Sequence, residues 1–200
     1  MKTTALILLM LGALWKPAQA QISCTTDATP IQFNTVNSID SGTYDARGSI
    51  TVTCSGSNGG TIGVCIEVGQ GAAGVNAASQ RLLVSSANRR TLPLQIFQDA
   101  ALTRAWGPAA LNQAALLSRR GDGPLTSAIH LRLYVPQGGA TPGIYTAQFP
   151  MMIRYGLQME QSPACETLTN VAVRPAPAKA IAPAGSQNRG QIKPPASNHR

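Results

Sequence analysis

Four cysteines offer the clearest chemistry in this 200-residue sequence: Cys24, Cys54, Cys65 and Cys165. A thiolate metal site needs close pairs such as C-x-x-C, and none of these spacings supplies one. In an exported chain an even set of cysteines forms disulfides, here two, with three pairings open. Acid–base chemistry has less to work with. Hydrolysis through an activated nucleophile ordinarily uses His as base. The only histidine between residues 21 and 169 is His130, which strand parity turns outward as a surface residue. Asp99 and Asp122 sit in turn contexts, where Asp is common for its backbone hydrogen bonds. Glu160 and Glu166 show no paired arrangement. No glycine-rich phosphate loop precedes a helix. The residues therefore predict no catalytic set, no metal and no cofactor, with a small secreted enzyme as the remote alternative. Arg120-Gly121-Asp122 spells a triplet that integrins read, although a Gly-Asp-Gly-Pro turn accounts for the same residues.

The elements that must hold these residues are strands. Residues 1–20 read as a signal peptide: Lys2 gives a positive start, residues 4–15 an apolar stretch, and Ala18-Gln19-Ala20 a cleavage site, with the cut between Ala20 and Gln21. That run is too short for a membrane span, and no later stretch approaches the roughly 18–20 apolar residues one needs. Beyond it, period-2 alternation dominates. Ile50, Val52 and Cys54 alternate with Thr51 and Thr53. After Ser55-Gly56-Ser57-Asn58-Gly59-Gly60, the residues Ile62, Val64, Ile66 and Val68 alternate with Gly63, Cys65 and Glu67. This predicts two strands joined by a glycine-rich hairpin, with Cys65 facing away from the core. Leu92, Leu94 and Ile96 form another run, as do Ile129, Leu131, Leu133 and Val135. In the last strand, Tyr145, Ala147, Phe149, Met151, Ile153 and Tyr155 share one face and Thr146, Gln148, Pro150, Met152 and Arg154 the other. About seven such strands predict an all-β, antiparallel sandwich. Residues 108–120 have room for a helical turn or two before Gly121-Asp122-Gly123-Pro124 ends it.

The net charge of +8 invites a nucleic-acid or membrane reading until it is located. From residue 170 onward there are five basic residues (Arg174, Lys179, Arg189, Lys193, Arg200) and no acidic one, whereas residues 21–169 hold nine basic and eight acidic side chains. The body is nearly neutral, and aromatic–basic interleaving of the nucleic-acid kind is absent. The proline- and alanine-rich segment 170–200 buries too little apolar surface of its own to offset its ordering entropy, which predicts disorder or an extended linker.

The order of elements is distinctive. A cysteine lies near the start (Cys24), a strand ends in a second (Cys54), and another ends in glycine (Val68-Gly69). Then come Arg81-Leu82-Leu83, the run from Leu92 to Asp99, Trp106-Gly107, and a Pro-Gly-x-Tyr entry at Pro142 into the strand ending at Tyr155. This order resembles the spore coat protein U domain family. The resemblance implies an incomplete immunoglobulin-like sandwich over residues 21–169 that lacks its final strand. It also implies a groove whose wall is Phe149, Met151, Ile153 and Tyr155, filled by the strand of a neighbouring subunit. Relatives of this kind are structural subunits of chaperone–usher pili, so a periplasmic chaperone, an usher and a neighbouring subunit are the implied partners, and the route is secretion through the periplasm to a surface fibre. The physical basis is strand addition: main-chain hydrogen bonds supply affinity and alternate side chains fill pockets. A tip adhesin or free secreted binding module is the alternative. The resemblance also implies a Cys24–Cys54 bridge, which leaves Cys65 with Cys165.

Three departures from that pattern matter. Only Gln21, Ile22 and Ser23 separate the cleavage site from Cys24, about 10 Å of chain. This predicts a terminal subunit that accepts a strand without donating one. Ala147 stands where relatives often place Asp, and Pro150 removes a donor from the last strand, predicting local weakening or a bulge. A further reading is that residues 167–173 complete the fold in cis.

Overall fold

The computed structural model describes residues 21–33, 35–158 and 165–182. Ten strands run through them: β1 Ser23–Ala28, β2 Ile31–Gln32, β3 Gly42–Ser55, β4 Thr61–Val68, β5 Arg81–Ser85, β6 Thr91–Phe97, β7 Ala115–Arg120, β8 Gly123–Val135, β9 Gly143–Leu157 and β10 Asn170–Ala182. A single 3-10 turn, Ala109–Leu111, is all the helix found between residues 108 and 120, and the rest of that segment enters β7. The strand order is β1-β3-β8-β6-β5-β9-β10-β2, with β4 lying between β7 and β9. β5 pairs with both β6 and β9, which curls the sheet into two facing layers. Apolar positions of both layers meet in one core: Ile50, Val52, Leu94, Leu131 and Leu133 from one side, and Ile62, Val64, Ile66, Phe149 and Ile153 from the other. The alternation predicts this all-β arrangement, and the family resemblance implies its immunoglobulin-like form.

Two local expectations are corrected. β3 and β4 are not a hairpin: β3 pairs with β1 and β8, while β4 pairs with β7 and β9. Residues 55–60 instead carry the chain from one layer to the other, because alternation reports which face a residue occupies and not which strand lies beside it. His130 faces away from the core by parity yet is buried, registered between Arg47 of β3 and Phe97 of β6. Parity gives the face a residue occupies and not whether that face is covered.

The layers are locked by a buried cation. Arg81 donates to the carbonyl oxygens of Gly69 (2.8 Å), Val68 (2.8 Å) and Trp106 (2.8 Å), and the fully buried Trp106 ring donates through Nε1 to Ile66 O at 2.8 Å. Burial pushes the Arg81 pKa down to about 10, so the side chain stays charged at neutral pH. Arg81→Met would orphan these carbonyls, each buried acceptor being worth about 1–3 kcal/mol. Thermal unfolding of this variant is expected to start at least roughly 5 °C lower. A midpoint within 1–2 °C of the parent would show that the carbonyls find other donors.

Candidate functional site: the edge of β9 and the strand that covers it

β9 is the longest strand, and its alternation is the reason. Tyr145, Phe149, Met151 and Ile153 are buried in the core, with Ala147 and Tyr155 packed against it. One edge of β9 is taken twice over. Its C-terminal half pairs with β4, from Met151 opposite Val68 to Leu157 opposite Ile62, and its N-terminal end pairs with Val84 and Ser85 of β5. The gap between is filled by the loop after β4, where Gly69 N donates to Pro150 O at 2.8 Å. Gly71 makes that loop possible. Its φ of +80° is left-handed, and a Cβ there would stand 3.0 Å from Gln148 O. Pro150 therefore turns its missing donor toward the loop, past the end of β4, and the register of β9 runs through it without the bulge that the sequence suggests.

The other edge of β9 is covered by β10. Thirteen successive residues pair antiparallel, from Asn170 opposite Tyr155 to Ala182 opposite Gly143. Near its end β10 also pairs in parallel with β2, Ala178 opposite Ile31 and Lys179 opposite Gln32. The expectation of an unpaired extended or disordered segment from residue 170 thus fails for Asn170–Ala182, while residues 183–200 lie outside the described residues. Composition weighs only what a segment can bury by itself. It does not count the backbone bonds that an existing sheet edge offers to any extended chain.

The residue types along β10 are distributed asymmetrically. Opposite the core-facing Ile153, Phe149, Ala147 and Tyr145 stand Ala172, Ala176, Ala178 and Ala180, so alanine is all that registers with the large core residues apart from Arg174 opposite Met151. The bulky residues Val171 and Val173 lie 51% and 63% exposed, on the opposite parity. The backbone is asymmetric too. Phe33 N donates to Lys179 O and Val36 N to Ile181 O, which turns odd-numbered residues of β10 away from β9 and leaves the even-numbered ones to the β9 ladder. Pro175 and Pro177 are both odd, so neither removes a bond to β9.

A disulfide sets the start of β10. Cys65 of β4 is bonded to Cys165, and Cys24 of β1 to Cys54 directly opposite it on β3. Cys65 points away from the core, as its parity predicts, but is fully buried, because the chain around Cys165 and the buried Leu168 lie over that face. Leu168 comes down on Gly156, where a Cβ would stand 3.6 Å from its Cδ2. Five residues after the bridge the chain enters β10.

Residues 11–150 match the family model of the Spore Coat Protein U domain. The chain belongs to that family. No curated protein matches it. Among solved structures this spore coat U domain is similar to the CooA pilin subunit of enterotoxigenic Escherichia coli, at 8% identity and a TM-score of 0.44, covering 79% of this chain and 98% of that one. It is similar also to the CssB subunit complemented with a donor strand from CssA, from the same organism's colonization factor CS6, at 13% identity and 0.43, covering 78% and 96%. Self-complemented MyfA of Yersinia enterocolitica gives 14% identity and 0.35, covering 81% and 99%. The family match ends at residue 150, inside β9, so β10 lies beyond it.

In the spore coat U domain the remaining singled-out residues do structural work or fall outside description. Asp122 is engaged by its own fold: its carboxylate accepts from Ser57 Oγ at 2.6 Å, Ser57 N at 2.8 Å and Gly56 N at 3.1 Å. The Ser57 hydroxyl and these amides hold its carboxyl below the usual carboxylate range. Asp99 caps its own turn by accepting from Thr103 and Arg104. The integrin-like triplet thus has its acid turned to the junction of residues 56–57. Because the folded pKa is lowered, the contribution of Asp122 is present above the unfolded value and lost as pH falls through the folded one. Asp122→Asn is expected to flatten the loss of stability between about pH 5 and 2; an acid-unfolding profile parallel to the parent's would contradict this. Residues 1–20, with the cleavage site at Ala20, and Glu160 lie outside the described residues. Among the described residues no cluster of three or more His, Cys, Asp or Glu gathers, and no helix is long and apolar enough to cross a membrane.

Proposed function

We propose that this domain is a structural subunit of a chaperone–usher type surface fibre, exported through the periplasm, whose strand-accepting groove runs along β9 at Phe149, Met151, Ile153 and Tyr155. A periplasmic chaperone, an usher and a neighbouring subunit are its partners in this reading. The observation that carries it is the geometry of β9: core-facing aromatic and aliphatic residues on a strand whose outer edge is completed by a separately supplied strand. Family membership supports it as well. In this chain the supplied strand is its own β10, so the groove is complete without a neighbour. With cleavage after Ala20, only Gln21 and Ile22 precede β1, and Ile22 is itself buried in the core. In this reading β10 gives way to a neighbour's strand, and the subunit, with none to give from its N-terminus, sits at the end of a fibre.

The self-completed groove also favours a second reading, a free secreted domain that never enters a fibre. Material sheared from the surface of the producing cells separates the two. A fibre subunit is recovered there in assemblies larger than the monomer that come apart on heating. Recovery solely as a monomer in the medium would overturn the fibre reading and leave the free domain.

A further inference from the structure

Over most of its length β10 is an edge of the sheet, and an edge is a hazard. Among the described residues no strand pairs with its outer edge over residues 171–177, since β2 reaches only Ala178 and Lys179. Seven residues is ample for an added strand. The side chains beside this edge are inviting: Val171 and Val173 are exposed on β10, and Met152 is exposed next to them on β9. An apolar edge with free N–H and C=O groups is a template for a second chain.

The backbone says otherwise. The groups that would meet an added strand belong to residues 171, 173, 175 and 177, because odd-numbered residues face away from β9. Two of these four are Pro175 and Pro177, which have no N–H, and their rings stand where an incoming carbonyl would approach. The exposed Arg174 immediately before them adds a charge. The even-numbered partners of β9, Asn170, Ala172, Arg174, Ala176, Ala178 and Ala180, include no proline.

We propose that β10 is a one-sided closing strand: its even-numbered residues complete its own sheet, and Pro175 and Pro177 on the other edge prevent a second copy of the chain from adding a strand there. The proposal does not depend on the fibre reading, because it concerns the self-association of a folded monomer. Its device is parity. A proline at an odd position of β10 blocks addition without a loss to the fold, whereas one at an even position breaks the β9 ladder.

The test uses the full chain. Pro175→Thr with Pro177→Thr restores both donors, and sedimentation velocity over rising concentration is expected to show self-association at least roughly tenfold tighter than the parent's, with the melting temperature retained. Adding Val173→Pro to that double variant returns a proline to the same edge and is expected to restore the parent's behaviour, which aggregation through unfolding would not allow. Separately, in the parent, Val173→Pro is expected to leave the melting temperature nearly unchanged and Ala172→Pro to lower it clearly. A double variant that folds and associates no more than the parent overturns the proposal. So does a Val173→Pro as damaging as Ala172→Pro, and this second comparison stands even if the double variant fails to fold.

Discussion

A chain ended after Thr169 is expected to lose its cooperative fold or to keep it only as an aggregating species. The cut removes every partner of the outer edge of β9, the even-numbered residues from Asn170 to Ala182. Each backbone bond contributes about 1 kcal/mol net, and whole domains hold only about 5–15 kcal/mol in reserve. The exposed edge belongs to the strand that carries Tyr145, Phe149, Met151 and Ile153, so its loss uncovers core as well as backbone. Adding a synthetic peptide of residues 170–182 in excess should restore part of the thermal transition, since only the covalent link is missing. A truncated domain that stays monomeric and melts within a few degrees of the full chain would show that β10 is an ornament on a sandwich already complete.

Replacing Cys65 and Cys165 together by Ala has the second-largest expected effect. The bridge closes a loop of sequence separation 100, which in the chain-entropy account corresponds to about 4–5 kcal/mol. Its removal should lower the thermal midpoint by roughly 8–15 °C. It should also act locally. Because the bridge fixes the chain five residues before β10, amide exchange in β10 should accelerate more than in β1 and β3. Removing Cys24 and Cys54 instead should reverse that order, since that bridge joins β1 to β3 at the other end of the strand order. Equal acceleration everywhere in both variants would mean that each bridge acts only on the unfolded chain.

These two expectations mark what could be read from residues alone. The alternation from Tyr145 to Tyr155 fixed which face of β9 is core, because a half-buried strand leaves a period of two in its sequence. The parity of Cys65 was legible in the same way, but its burial was not, since the cover comes from Leu168 and the chain around Cys165, a hundred residues on. Strand partners were not legible at all: nothing in Ile50 to Val68 distinguishes a hairpin from a crossing between layers. Pro150 suggested a bulge because its neighbours were unknown, and the loop at Gly69 makes its missing donor harmless. The clearest signal missed lay in residues 175–178, where prolines and alanines alternate with the period of a strand. Composition counted them and overlooked their order.

The covering strand also imposes a timetable. Chains are made from the N-terminus, so β9 is finished before any part of β10 exists, and Cys65 waits for a thiol a hundred residues behind it. Until residue 170 has emerged, the flank of β9 has no partner from this strand, and it is covered to its far end only with residue 182. Pairings this distant in sequence form slowly, and unfinished sheets are the species that associate wrongly. Closure of the domain therefore waits on its last strand, and until then the flank of β9 lies open.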